Sequence, residues 1–116
     1  MNVIEIKISR DFSPTPGPRY IKESDINNSG EAFRKTVLYP KFKQALSEHK
    51  KMVVDLDGTA GFGTSFLEES FGGLIRVENM EYETIIKNLE IISNEEDFLK
   101  EDILNYLNDA EQARKK

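Results

Sequence analysis

The sequence has no cysteine and a single histidine, His49. Disulfide scaffolds, thiol nucleophiles, iron–sulfur clusters and thiolate zinc sites are therefore excluded, as is a multi-histidine metal site. Only 7 glycines and 4 prolines occur among 116 residues, which argues against a fibrous or low-complexity chain. We therefore expect one globular domain over residues 1–116 that uses no metal and no other cofactor.

Long hydrophobic runs and an excess of positive charge are also missing. No apolar stretch approaches the ~20 residues that cross a bilayer, so we expect no membrane partner and a cytoplasmic location. The formal net charge is -5, from 16 basic and 21 acidic side chains. An acidic chain lacks the broad cationic footprint of nucleic-acid binders, which argues against nucleic acid as the main partner.

Hydrophobic periodicity predicts an α/β fold. Apolar and charged residues alternate at positions 3–8, and apolar runs at 52–56 and 89–92 also predict strands. Residues 11–18 contain three of the four prolines and predict a turn, after which residues 19–22 are expected to return as an antiparallel edge strand. The expected architecture is a mixed sheet of about four strands with helices mainly on one face.

Three capping boxes predict helix starts: Asn28 with Glu31, Ser65 with Glu68, and Ser93 with Glu96. The first helix is expected to end near His49 and to be kinked or split at Pro40, which has no backbone N–H. Gly72 and Gly73 lie inside the second helix and predict close packing against another backbone. A shorter helix is expected at residues 82–88.

The string VVDLDGT at residues 53–59 resembles the first motif of haloacid-dehalogenase-like phosphatases. In that family an apolar strand delivers a nucleophilic aspartate, and a second aspartate two residues later acts as acid/base beside magnesium. The resemblance implies these roles for Asp55 and Asp57, with residues 95–97 imitating the family's acidic pair. The structural alternative is an Asp-Gly turn that follows a core strand.

A second resemblance covers more of the chain. The strings DFSPTPGPRY, SGEAFR, VVDLDG and FGTSFLEESFGGL follow one another between Asp11 and Leu74. This order is similar to a bacterial, archaeal and phage family of STAS-like domains related to anti-sigma-factor antagonists. The resemblance implies a STAS-like fold and a non-enzymatic regulatory module that binds a protein, for example a histidine-kinase-like ATPase with serine/threonine kinase activity. A homodimer is also compatible with the sequence.

In the antagonist relatives, a partner kinase phosphorylates a serine where a loop meets a helix. Aligned on the preceding strand, that position falls on Thr64 or Ser65, the candidate switch residues. Ser65 has a competing interpretation as a helix N-cap paired with Glu68. The implied interaction surface is the first turn of the helix and the loop before it, with these candidate contact residues: Asp57, Gly58, Thr59, Gly61, Phe62 and Gly63.

Four polar residues outside this loop are secondary candidates: Arg19, Ser29, Glu31 and Arg34. Arg19 could reach a carboxylate such as Asp55 or Asp57, or bind an anion. The other three mark a helix start, with the alternative that Arg34 anchors a neighbouring loop.

Overall fold

Strands and helices alternate in the computed structural model, which describes residues 2–21 and 28–115. The strands are β1 (Val3–Lys7), β2 (Lys51–Asp55) and β3 (Leu89–Ile92). The helices are α1 (Ile8–Asp11), α2 (residues 30–47), α3 (residues 64–76), α4 (Tyr82–Asn88) and α5 (Phe98–Arg114). One π-helical segment interrupts α2 at Arg34–Leu38, and another interrupts α3 at Glu68–Gly72. No helix in these residues is long and apolar enough to cross a membrane.

The three strands form a parallel sheet in the order β1-β2-β3. Parallel connections are right-handed, so a strand order that never reverses directs every connecting helix to the same face of the sheet. That face carries Ile6, Val54 and Ile91, which are aligned across the strands and belong to the single hydrophobic core. On the opposite face, Glu5 and Glu90 flank Val53.

The expectation of a mixed, four-stranded sheet is wrong for the described residues. Residues 19–21 form no strand, and Lys22 lies outside the described part of the chain. The carbonyls of Pro18 and Arg19 instead accept hydrogen bonds from the N–H groups of Gly30 (2.8 Å) and Glu31 (2.9 Å). The first N–H groups of a helix have no partner within it. The Pro-rich segment, residues 11–19, therefore accepts hydrogen bonds from the first N–H groups of α2 and pairs with none of the described strands.

The three strands predicted from hydrophobic periodicity are confirmed to within one residue at each end. The strand predicted at 3–8 is one residue too long, because the chain turns at Ile8 into α1 while the Ile8 side chain stays buried. The outer edge of β1 is partly closed by a side chain, since the Lys7 N–H donates to Asp11 Oδ2 at 2.9 Å. A hydrogen bond from Arg10 and this backbone N–H lower the pKa of Asp11 to about 2. The Lys7 N–H is thus unavailable to an added strand.

The capping box predicted at the start of α2 is wrong by one residue. Ser29, and not Asn28, is the N-cap, and its hydroxyl accepts the N–H of Ala32 at 3.0 Å. Glu31 does not turn back to the cap, because it accepts the Ile21 N–H at 2.9 Å and pairs with a lysine one turn later.

The other two predicted capping boxes do not form either. Gly63 is the N-cap of α3 and has no side chain to offer, so Ser65 lies inside the helix. The Ser93 hydroxyl donates to the Glu96 carbonyl at 2.6 Å, and α5 begins only at Phe98. The spacing of a capping box does not determine the backbone conformation at a helix start, and that conformation decides which residue can cap the helix.

Pro40 does not break α2. The π-helical segment Arg34–Leu38 directly precedes the regular segment Tyr39–Ser47, which has Pro40 in its first turn. A π-helical turn shifts the hydrogen-bonding pattern by one residue, so the position without an N–H falls where the helix tolerates it. The predicted end near His49 is confirmed, because the helix stops at Ser47 and His49 adopts a left-handed conformation with φ 58°.

Helices α2 and α3 approach each other closely at Gly30. A Cβ atom added to Gly30 would lie 2.5 Å from the carbonyl oxygen of Phe66, which is backbone and cannot rotate away. The prediction that Gly72 and Gly73 pack against another backbone is wrong, because the atoms nearest to their Cβ positions belong to side chains, chiefly the Glu68 carboxylate and the Arg34 guanidinium. The close backbone approach therefore occurs at a glycine for which the sequence analysis had no prediction.

We predict that Gly30→Ala lowers the free energy of unfolding by about 1–3 kcal/mol, because the added methyl overpacks the contact with Phe66. Chemical denaturation monitored by circular dichroism measures the change. Gly63→Ala is the matched control, since nothing lies within 4 Å of its Cβ position, and it should change stability by less than about 1 kcal/mol. Equal stability of the two variants would show that α2 and α3 do not need this contact.

Candidate functional site

The loop that follows β2 is fastened to the segment that follows β3. One carboxylate oxygen of Asp57 accepts the backbone N–H groups of Asn94 and Glu95, both at 2.9 Å, and the other accepts the Asn94 side-chain amide at 3.0 Å. A further hydrogen bond joins the same two segments, because the Glu95 carboxylate accepts the Gly58 N–H at 2.8 Å. The hydrogen bond from Glu95, followed by those from Asn94, lowers the pKa of Asp57 below its ordinary value.

Asp55 is also engaged by donors of the chain itself. Its Oδ1 accepts the Asp57 N–H at 2.9 Å, and the Lys7 ammonium lies 3.3 Å from its Oδ2. Lys7 donates at 3.2 Å to the Asp57 carbonyl as well. No group of three or more potential metal ligands occurs in the described residues. The contacts of Asp55 and Asp57 fit a turn after a core strand, and their phosphatase roles stay a prediction.

The rest of this loop is shaped by two glycines and by hydrogen bonds that its backbone N–H groups donate. Gly58 and Gly61 have φ values of 92° and 133°, in the region that favours glycine. The Ala60 N–H donates to the Pro14 carbonyl at 2.8 Å, which connects the loop to the Pro-rich segment. Thr59 accepts the Gly61 N–H at 3.3 Å. The loop therefore has a defined shape that depends on contacts from two other segments.

Phe62 and Gly63 lead into α3. The Phe62 ring is half-buried, with its centroid 5.8 Å from that of the buried Phe66. Thr64 is exposed as the first residue of α3, and Ser65 is half-buried. Because Gly63 provides no side-chain cap, the predicted N-cap role of Ser65 is wrong. The exposed hydroxyl at the helix start belongs to Thr64.

A buried ion pair joins α2 to α3. The side chains of Arg34 and Glu69 are only 1% and 4% exposed, and Arg34 Nη1 donates to Glu69 Oε2 at 2.5 Å. The same nitrogen donates to the Glu69 carbonyl at 2.9 Å, and Arg34 Nε donates to Glu78 at 3.0 Å. Arg34 thus anchors α3 and the loop after it, in line with the alternative that it anchors a neighbouring loop.

Two further arginines extend this pair into a network. Arg19 does not reach Asp55 or Asp57, because it binds Glu68 and lies 3.3 Å from Glu69. Arg76 pairs with the same two glutamates, at 2.7 Å and 3.2 Å. Burial opposes ionisation of Glu68, but hydrogen bonds from Arg76 and Arg19 outweigh it and lower its pKa. The network connects the Pro-rich segment, α2 and α3.

The glutamates of this network were not predicted as its acidic partners, although the sequence contains a signal for them. Arg34 lies next to Phe33 in the apolar stripe of α2, and Glu69 lies among buried residues of α3. A charge at a core position needs a partner of opposite sign nearby. Only the packing of the two helices identifies which residue that partner is.

We predict that Glu69→Leu destabilises the protein by about 3 kcal/mol or more, because it removes the main partner of a buried guanidinium. The double variant Arg34→Met/Glu69→Leu should be more stable than Glu69→Leu alone, since the buried guanidinium that lacks its main partner is then removed and only the partly buried Glu78 loses an ion pair. Lys35→Met is the control, because its exposed pair with Glu31 should contribute less than about 1 kcal/mol. Additive effects in a double-mutant cycle measured by denaturation would contradict the coupling.

The lowered pKa of Asp57 predicts that the stability of the fold depends on pH. Its pKa is lower in the folded state than the ordinary 3.8, so the ionised carboxylate stabilises the fold above that pH. This stabilisation is lost as the pH falls through the folded-state pKa. Wild type should therefore exceed Asp57→Asn in stability at pH 7, and the difference should shrink below pH 3.8. Asp109→Asn, on the exposed face of α5, is the control in the same denaturation series. A difference that is constant with pH would refute this role of Asp57.

The two helices joined by the ion pair carry SGEAFR and most of FGTSFLEESFGGL, two of the four strings on which the STAS-like resemblance rests. Ser29 caps α2, Gly30 allows the close approach, and Arg34 pairs with Glu69 beside Gly73. No curated protein and no solved structure matches the chain. A family model does match it over residues 29–98, more than half of its length. The chain belongs to the family described as STAS-like domain of unknown function (DUF4325).

Proposed function

We propose that this chain is a non-enzymatic regulatory module that binds a protein partner through its docking loop, residues 57–63, and the first turn of α3. The observation that carries the proposal is the exposed Thr64 hydroxyl at a helix start without a side-chain cap. It directly follows a loop that is anchored to two other segments. Membership of a STAS-like family supports a regulatory role.

The anchoring of the docking loop favours recognition of a partner. Asp57 holds one end of the loop, Ala60 bonds to Pro14 in the middle, and Phe62 packs on Phe66 at the other end. A loop that already has its bound shape loses little conformational entropy on association. The exposed positions between these anchors are therefore available for side-chain and backbone contacts with a protein.

Phosphorylation of Thr64 would switch this surface. A phosphate there would meet the N–H groups and the positive end of the dipole of the 13-residue helix α3, so it would not unfold the helix. It would add about -1.5 to -2 charges at neutral pH, and a partner docked without a matching cation would have to desolvate them. The partner implied by the resemblance is a kinase-like ATPase with serine/threonine kinase activity, in the prokaryotic cytoplasm.

We predict phosphate on Thr64 in protein isolated from its native cell, detected by mass spectrometry, and none in Thr64→Ala. Thr64→Glu should keep the wild-type melting temperature and weaken binding to the co-purified kinase-like ATPase, which isothermal titration measures. Ser65→Ala is the matched control for a neighbouring hydroxyl. Because Ser65 is not the N-cap, it should leave both quantities unchanged. Absence of phosphate together with wild-type affinity of Thr64→Glu would reject the switch.

A separate variant tests the docking surface without the switch. Gly63→Arg places a bulky charge next to Thr64, where nothing lies within 4 Å of the Cβ position, and it should abolish binding of the same partner. Asn105→Arg introduces the same side chain on the exposed side of α5 and should bind normally. Equal affinities of these two variants would exclude the docking loop as the contact surface.

A further inference from the structure

A groove lies between α3 and α5, away from the docking loop. It forms where α5 presents two small side chains after the larger Leu107, namely the buried Ala110 and the exposed Ala113. These alanines and Ile75 of α3 form an apolar floor. The groove has a volume of about 450 Å³, which lies within the range of about 300–1,000 Å³ typical of small-molecule sites.

Charged side chains of both signs surround this floor. Arg76 of α3 and Arg114 of α5 contribute two guanidinium groups, and Glu68 and Asp109 contribute two carboxylates. Asn79 completes the polar lining with an amide. The groove is therefore near neutral overall, and its cations belong to two different helices.

Arg76 can turn toward a ligand without leaving a carboxylate unpaired. It binds Glu68 and Glu69, but Glu68 also binds Arg19, and Glu69 also binds both Arg19 and Arg34. Release of Arg76 would thus leave each glutamate with at least one guanidinium. The usual penalty for breaking a partly buried ion pair, a charge left without a partner, does not arise here.

The same reasoning applies to Arg114 on the other helix. It lies 2.8 Å from Glu111, which has a second cation in Lys115 at 3.7 Å. Its other carboxylate neighbour, Glu81 at 3.8 Å, has a side chain that is 76% exposed and is hydrated without it. Its hydrogen bond to the Met80 carbonyl is long, at 3.4 Å. Release of Arg114 would therefore leave Glu111 paired with Lys115, and of the carboxylates that the two arginines contact only the exposed Glu81 would lose its ion pair.

We propose that this groove binds a small organic anion that has one negative charge and an apolar body, such as an aromatic carboxylate. The acid group would be held by Arg76 and Arg114, and the apolar body would lie on Ile75, Ala110 and Ala113. Two planar guanidinium groups suit a carboxylate, which accepts paired hydrogen bonds from them. Glu68 and Asp109 disfavour polyanions by repulsion. This site is independent of the docking loop and extends beyond the proposed function.

Binding of 2-naphthoate to the full chain, followed by ¹H–¹⁵N correlation spectra, tests the proposal. We expect saturable shifts at the amides of residues 75–79 and 109–114. The uncharged 2-naphthamide should bind at least tenfold more weakly, and 2-naphthyl phosphate, which carries more charge, should also bind more weakly than the carboxylate. Equal binding of the amide, stronger binding of the phosphate, or shifts confined to other regions would overturn the proposal.

Variants locate the site. Arg76→Gln and Arg114→Gln should each weaken 2-naphthoate at least fivefold, and Ala113→Leu should abolish binding by filling the floor. Ala113 is exposed, so this substitution should leave the melting temperature unchanged. Arg10→Gln, which removes an arginine paired with Asp11 far along the chain, is the matched control and should bind as wild type does. Wild-type affinity in Ala113→Leu, or a loss in Arg10→Gln equal to that in Arg76→Gln, would exclude this groove.

Discussion

The buried guanidinium of Arg34 constrains how α2 packs against α3 and the loop that follows α3. A charge in the core must keep a partner of opposite sign, and removing that partner costs several kcal/mol. Glu69 is that partner, so the ion pair favours the register in which α2 and α3 pack against each other. Gly30 and Gly73 leave room for this register, one next to the Phe66 carbonyl and the other next to the guanidinium itself.

This register also positions the candidate site. Once α3 is fixed by Glu69, its first residue Thr64 and the loop before it are held at the carboxyl end of β2. Asp57 then connects that loop to residues 94–95. Ligand crevices in open α/β sheets form where the strand order reverses, and the order β1-β2-β3 has no reversal. The loop and helix start at this edge of the sheet are the elements of the proposed docking surface.

The order of strands and helices was predictable from residues 3–8, 52–56, 82–88 and 89–92 because apolar periodicity reflects which side of an element is buried. The family was also predictable, since its strings occur in order. The edge strand predicted at 19–22 is absent from its described part, residues 19–21, because a short stretch after prolines has a composition that fits both a strand and a segment that accepts the N–H groups of a helix start. The N-caps predicted for α2 and α3 are wrong, because the spacing of polar residues in the sequence does not show the direction of the backbone at a helix start.

The sequence by itself determined the α/β class, the positions of the main elements and the absence of thiol chemistry, since these depend on local pattern and composition. Only the tertiary structure decided that Arg19 binds Glu68 and Glu69, that Asp57 fastens two loops, and that Arg76 and Arg114 face one groove. These contacts join residues far apart in the chain. Their partners are selected by packing geometry and by the need to neutralise buried charge, and neither leaves a local signature in the sequence.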